Sequence, residues 1–291
     1  MEKVDLTNDF YELIRKTSTD LPEDVVAAIQ AAHEREEEGS AARGAFEAIL
    51  ENIRISREES TPVCQDTGTP IFHVHHPLGI STGEIRSQIK TALARATEDG
   101  IMRPNAVDPV TGKNSGNNLG IEFPTVHFEE WDDDAIRVDL ALKGGGSENV
   151  GVQYKLPDGG LGAGRDLEGV RKCVLDAVFK AQGKGCAPGI IGVGIGGDRG
   201  SCYLMSKAQF FRKLDDENPD PQLREFETRL FEELNSLGIG PMGFGGKTTV
   251  LGVKAGKLHR VPACYFVSVS YLCWAARRHS MTYRNGEVQI D

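Results

Sequence analysis

Three features of this sequence predict an α/β fold in which helices and a mixed sheet follow a helical N-terminal part. Up to about residue 58, apolar residues recur at helical spacing. Later segments alternate apolar and polar residues as strands do. Between these segments lie clusters drawn from 34 glycines, and they punctuate patterned sequence rather than forming low-complexity runs. With no internal repeat and no clean linker, residues 1–291 read as one domain, helical over about 1–58 and mixed α/β over about 59–291.

Helices are predicted over Leu6–Lys16, over Pro22–Glu38 after a Thr19-Asp20 cap, and over Ala41–Ile55, where Phe46, Ile49, Leu50 and Ile53 share a face. Glu34 to Glu38 reads as a solvated, charged helix end. Thr69–His76 alternates as a strand, and Thr82–Glu98 is an amphipathic helix. Arg103 to Gly120 is too polar and irregular for an element, which makes it a long ordered loop. Ile121–Glu129 and Ala135–Lys143 read as strands paired around the acidic turn Trp131–Asp134. Helices follow at Leu167–Gln182, Leu204–Leu214 and Pro221–Leu237. Strands are expected at Ile190–Ile195, Thr248–Val253 and Pro262–Ser270.

A formal net charge of −10 argues against a nucleic-acid or anionic-membrane partner, either of which needs a basic face. No apolar run is long enough to span a bilayer, and the start MEKVDLTNDFYELI lacks the basic-then-apolar order of a secretory signal. The expected location is therefore the reducing cytoplasm. There the six cysteines would be thiols or metal ligands rather than disulfides.

The chemistry is expected to centre on Thr61–Pro70, where Cys64, Gln65 and Asp66 offer a soft ligand, an amide and a proton carrier on consecutive residues. Pro62, Gly68 and Pro70 favour a bent loop. Cys64, Cys186 and Cys273 each lie beside turn residues or an element end. No close cysteine or histidine pairs suggest structural zinc, so the spacing is compatible with an iron-sulfur cluster, although ordinary buried thiols are the commoner arrangement. The clusters Gly144–Gly146 and Gly192–Gly197 present bare amides suited to an anion, or serve as tight turns, and neither has the spacing of a nucleotide-binding loop. Arg103 is either a carboxylate clamp or a surface residue, and Lys247, Arg277 and Arg278 are either anion contacts or ion-pair partners. His73 and His75 share a strand face with no third ligand, whereas His259, before Arg260, is the better candidate for a substrate contact.

Taken together, Cys64-Gln-Asp-Thr-Gly-Thr69, Asn114-Ser-Gly-Asn-Asn118, Gly144-Gly-Gly-Ser-Glu148, the run from Cys186 to Gly197, and Cys273-Trp-Ala-Ala-Arg-Arg278 resemble the iron-sulfur hydro-lyases, namely class I fumarases and the α subunit of L-tartrate dehydratase. The resemblance covers essentially the whole chain. It implies a 4Fe-4S cluster on Cys64, Cys186 and Cys273 with one iron open to substrate. It also implies acid/base work by Asp66 and substrate contacts from Gln65, Arg103, Gly144, Gly145, Gly146 and His259. The implied reaction is reversible hydration of fumarate to L-malate, with tartrate dehydration as the alternative and a non-catalytic cluster-bearing assembly subunit as a further one. The family's C-terminal domain does not follow Arg278, so a β subunit carrying that domain is the expected partner, in a heteromer with two copies of each subunit or a similar assembly.

Overall fold

The computed structural model describes residues 4–291. Its helices are α1 (Thr7–Thr19), α2 (Glu23–Arg35), α3 (Ala41–Glu59), α4 (Thr82–Glu98), α5 (Gly145–Asn149), α6 (Leu167–Ala181), α7 (Arg199–Ala208) and α8 (Pro221–Asn235). Its strands are β1 (Thr69–His76), β2 (Thr125–Glu130), β3 (Ile136–Lys143), β4 (Val152–Lys155), β5 (Gly189–Gly196), β6 (Val250–Leu258), β7 (Phe266–Leu272), β8 (Arg278–Arg284) and β9 (Glu287–Ile290). None of these helices is long and apolar enough to cross a membrane. The mixed helices and sheets bear out the α/β class.

The chain divides into two units. The first takes the residues up to Pro22, Asn52–Gly144 and Ala275–Asp291, and the second takes Glu23–Glu51 and Gly145–Trp274. α1 belongs with the first unit and α2 with the second.

In the first unit Phe10, Leu13 and Ile14 of α1 and Ile85, Ile89 and Leu93 of α4 recur at helical spacing, so each helix has one apolar face to bury. They bury it against Phe72, Val74, Val138 and Leu140, alternate residues of β1 and β3. Ser81 Oγ caps α4 by accepting from Glu84 N. The sheet order is β2-β1-β3-β8-β9, and only β1 and β2 are parallel. The expected pairing of the strands either side of Trp131–Asp134 is thus corrected, since β1 lies between them. Crossing back through α4 lays β2 parallel to one edge of β1, which leaves the other edge for β3. Trp131 N donates to His76 O at 3.1 Å, so the acidic turn passes over the end of β1.

In the second unit the order is β4-β7-β5-β6, with β5 and β6 parallel. Every residue of β5 is buried, and its two faces differ. Ile191, Val193 and Ile195 join the core made by α6 and α8. Gly192 and Gly194 face α7 so closely that a Cβ would come within 2.1 Å of Ser206 O and Cys202 O respectively. These two glycines let helix backbone rest on strand backbone, so packing accounts for Gly192 and Gly194. α7 starts at Arg199, earlier than the expected Leu204, because Asp198 makes a capping box with Ser201. Glu36 also departs from expectation. It is only 4% exposed, and its carboxylate accepts from Lys247 N and Thr248 N, which makes it a buried anchor rather than part of a solvated end.

Two histidines of the first unit make its stability depend on pH. Burial, reinforced by His127 and His75, pulls His73 down to about 4. Burial, then Lys16, pulls His279 to about 4 as well, with Arg278 adding to the fall and Asp291 and Asp20 opposing it. Both values lie below the ordinary histidine value of 6.5, so the unfolded chain takes up protons first as pH drops. The stabilisation is complete above that value and is lost as pH falls toward about 4. Thermal melts across this window are expected to show a falling Tm, with a shallower fall in His73→Gln. Parallel profiles for the two proteins would contradict the assignment to His73.

Candidate functional site

The Cys64 loop is pinned at both ends. Val63 N donates to Ser18 O at 2.9 Å, and Asn52 Nδ2 donates to Val63 O at 2.8 Å, while β1 begins at Thr69. Between these points Cys64 and Asp66 are half-buried and Gln65 is exposed. Gly68 N donates to Asp66 Oδ1 at 3.1 Å, closing a turn through the side chain. Gly68 has φ of +82°, and a Cβ there would lie 2.7 Å from the Lys143 carbonyl carbon. Gly144 is restricted in a different way, because a Cβ on it would meet Asp66 Oδ2 at 3.0 Å. Gly144 thus serves the site by leaving room for the carboxylate. Arg277 Nη2 donates to Asp66 O at 2.8 Å.

Arg103 reaches this loop through its backbone. Thr67 Oγ1, buried, accepts from Arg103 N and Asn105 Nδ2, each at 3.1 Å. Asn118, also buried, accepts from Asn105 N at 2.6 Å and donates to Arg103 O at 2.8 Å and to Thr97 Oγ1 at 2.9 Å. The long polar loop is therefore ordered, as expected, and the Arg103 side chain emerges exposed beside the Cys64 loop. Thr67 and Asn118 lie inside motifs that carry the family resemblance but have no role assigned to them there, and Asn105 is outside every motif. The asparagine-rich run at Asn114–Asn118 was the available signal, since amides are well suited to satisfying loop backbone.

Cys186 and Cys273 belong to the second unit. Cys186 is exposed, with φ of +56°, and ends a short 3-10 turn, while Cys273, buried, follows β7. Trp274 N donates to Cys186 O at 3.2 Å, which joins the two segments. Gly145 and Gly146 open α5 rather than forming a free glycine turn. None of the six cysteines is in a disulfide. Cys173 and Cys202 are core residues, and Cys202 Sγ contacts Gly194 O.

The residues around Cys186 and Cys273 suit a group carried on sulfur. The Tyr271 hydroxyl is buried with no hydrogen-bond partner, a costly state that a bound acceptor would relieve. Burial, then Cys273 and Cys186, pushes this hydroxyl up from its ordinary value, so both cysteines are its neighbours. Thiolates are the usual iron-sulfur donors. Among the described residues, no three His, Cys, Asp or Glu side chains form a ready metal-holding group.

His259 is placed apart from these cysteines. β5 and β6 run parallel, with Gly196 opposite Leu258, so His259 lies past the far end of the sheet whose near end carries Cys186. The eight residues of β5 separate the two by roughly 20 Å or more. Within one chain, His259 is not brought to the cysteine end. It instead lines a cavity of about 490 Å³ with Lys257, Arg260 and Asp220. Cys264 lies on that far side too, ahead of β7, where its carbonyl accepts from Arg260, so Cys273 is the cysteine at the Cys186 end. The exposed Lys247 lies 4.0 Å from Glu37.

The family described as fumarate hydratase (Fumerase) matches residues 7–282. The chain belongs to this family. Among its relatives, this Fumerase-family chain is 54% identical over 281 residues to a Geobacillus stearothermophilus protein named "Putative fumarate hydratase class I", covering 96% of the chain and 54% of the relative. The chain thus spans about half the length of that relative. It is 36% identical to a Methanocaldococcus jannaschii protein named "Putative L(+)-tartrate dehydratase subunit alpha", covering 92% of the chain and 93% of the relative. It is 32% identical to the L(+)-tartrate dehydratase subunit alpha of Escherichia coli K12, covering 91% and 86%.

Gly68 offers a direct test of the loop's geometry. Gly68→Ala adds a methyl against Lys143 backbone at positive φ, and is expected to destabilise by about 2 kcal/mol or more. Denaturant midpoints measure this. An unchanged midpoint would mean that the loop accommodates a side chain here.

Proposed function

We propose that this chain forms half of a hydro-lyase active site that interconverts fumarate and L-malate. The observation that carries this reading is the seat of Asp66, a carboxylate fixed by Gly68 N and given room by Gly144, on the same loop as Cys64 and beside Arg103. Cys64, Cys186 and Cys273 would hold a 4Fe-4S cluster. Bound there, a cluster with one iron lacking a cysteine supplies a Lewis acid toward a substrate hydroxyl.

The chain's own groups supply the remaining chemistry. Asp66 exchanges a proton at its carboxylate with the carbon next to the hydroxyl-bearing one, the step that must accompany departure of water. Arg103, exposed at the edge of the loop, pairs with a substrate carboxylate, and the exposed Gln65 amide orients the substrate by hydrogen bonding. The amides of Gly144, Gly145 and Gly146 are the further substrate contacts of this reading. Relatives named as α subunits support a β-type partner that completes the site in a heteromer. A reducing cytoplasmic setting suits an oxygen-sensitive cluster.

Tartrate is the second substrate reading. Its support is that the two tartrate dehydratase α subunits match this chain over most of their own length. The higher identity to the fumarate hydratase relative favours fumarate.

Anaerobic reconstitution is expected to give a brown protein with about four irons and four sulfides per chain, and Cys64→Ala, Cys186→Ala and Cys273→Ala are each expected to lose most of both. Iron and sulfide analysis decides this, and full content in all three variants would remove the ligand assignment. With the co-expressed partner, fumarate hydration followed by absorbance is expected to fall by about a hundredfold or more in Asp66→Asn. Tartrate turnover without fumarate turnover would select the second reading.

A further inference from the structure

Arg277 heads the large side chains of the described residues that have no exposed surface. Its Nη2 donates to Asp66 O at 2.8 Å, while Nε and Nη1 are buried with no acceptor. The backbone it grows from is itself fixed, because Arg277 O accepts from Leu142 N at 3.0 Å and Arg277 N donates to Ala275 O at 2.9 Å. The guanidinium ends close to the Asp66 carboxylate. The point where a Gly144 Cβ would stand is 3.0 Å from Asp66 Oδ2 and 3.8 Å from Arg277 Nη2.

A guanidinium wholly removed from water and given one neutral acceptor is a poor way to gain stability, and an apolar side chain of similar length would fill the same volume at less cost. What the guanidinium provides, and a methionine could not, is a rigid donor aimed at one carbonyl. That carbonyl belongs to the residue proposed above as the proton carrier.

We propose that Arg277 is a positioning residue that clamps the Cys64–Gly68 loop through the Asp66 carbonyl and so fixes the Asp66 carboxylate over Gly144. Its action on catalysis passes through Asp66 and rests on the role proposed for that residue. Complete burial separates Arg277 from Arg103, whose exposed side chain can meet substrate directly. Loss of the clamp therefore acts on the chemical step rather than on the affinity for substrate.

The clamp is tested first on the chain itself, by amide hydrogen exchange. In Arg277→Met, exchange at Gln65 to Gly68 is expected to rise by about tenfold, while β1 and α4 keep their protection. Arg277→Lys, which retains one donor, is expected to recover part of that protection. Unchanged loop exchange in Arg277→Met, or a rise spread evenly over β1 and α4, would overturn the proposal. In the complete enzyme with its partner, Arg277→Met is expected to lower kcat by about tenfold or more with KM held within about threefold. A rise in KM at constant kcat would instead make Arg277 a substrate contact and overturn the positioning role. A wild-type protein that turns over neither fumarate nor tartrate would remove the hydro-lyase reading, and the exchange result would still decide the clamp.

Discussion

A positive charge held out of water beside a carboxylate-bearing loop is the constraint on which the first unit is built. Arg277 needs its backbone pinned against β3, and β3 in turn must lie between β1, which follows the Asp66 loop, and β8, which follows Arg277. The sheet order β2-β1-β3-β8 meets both demands. A hairpin of β2 and β3 would place β2 where β1 now sits and carry the loop away from the arginine. Glycine completes the arrangement where the strand ends approach the loop, because Gly68 and Gly144 leave no side chain between the loop and the end of β3.

Much of the fold was legible because local pattern and tertiary packing agreed. Thr69–His76 and Thr82–Glu98 were read to the residue, since alternation in one and helical spacing in the other match the faces they bury. The misreadings have a common cause in partners distant along the chain. The pairing of β2 with β3 was inferred from proximity in sequence, whereas β2 pairs with a strand separated from it by α4. Glu36 looked solvated because its partners, the amides of Lys247 and Thr248, are more than 200 residues away. β8 and β9 went unread because Arg278, His279 and Ser280 do not advertise a strand, and pairing with β3 is what orders β8.

The candidate site divides along similar lines. Cys64, Gln65 and Asp66 lie on the bent loop that their flanking prolines and glycine indicate. Arg103 is drawn to that loop by Thr67 and Asn118, side chains whose importance depends on which backbone groups they meet. His259 was named for its place before Arg260 and from the family resemblance, and the seven-residue strand between it and Cys273 carries the chain from one end of the sheet to the other. Closeness in sequence and closeness in space part company wherever a whole strand lies between two residues. Arg277, ambiguous as one of two adjacent arginines, is distinguished from Arg278 by its side chain, which is directed at the Asp66 carbonyl.

The alternation of the chain between its two units also sets an order of events during synthesis. All of the second unit's strands have been made once Leu272 is added, so its four-stranded sheet needs nothing that comes later in the chain. The first unit cannot follow suit. Its β1, β2 and β3 emerge early, yet the edge of β3 stays open until β8 arrives, and Arg277 reaches the ribosome exit only just before it. The chemistry-bearing loop is therefore made early and clamped only once Arg277 follows, and until β8 pairs with it β3 presents an unpaired edge that a chaperone or a neighbouring nascent chain could occupy.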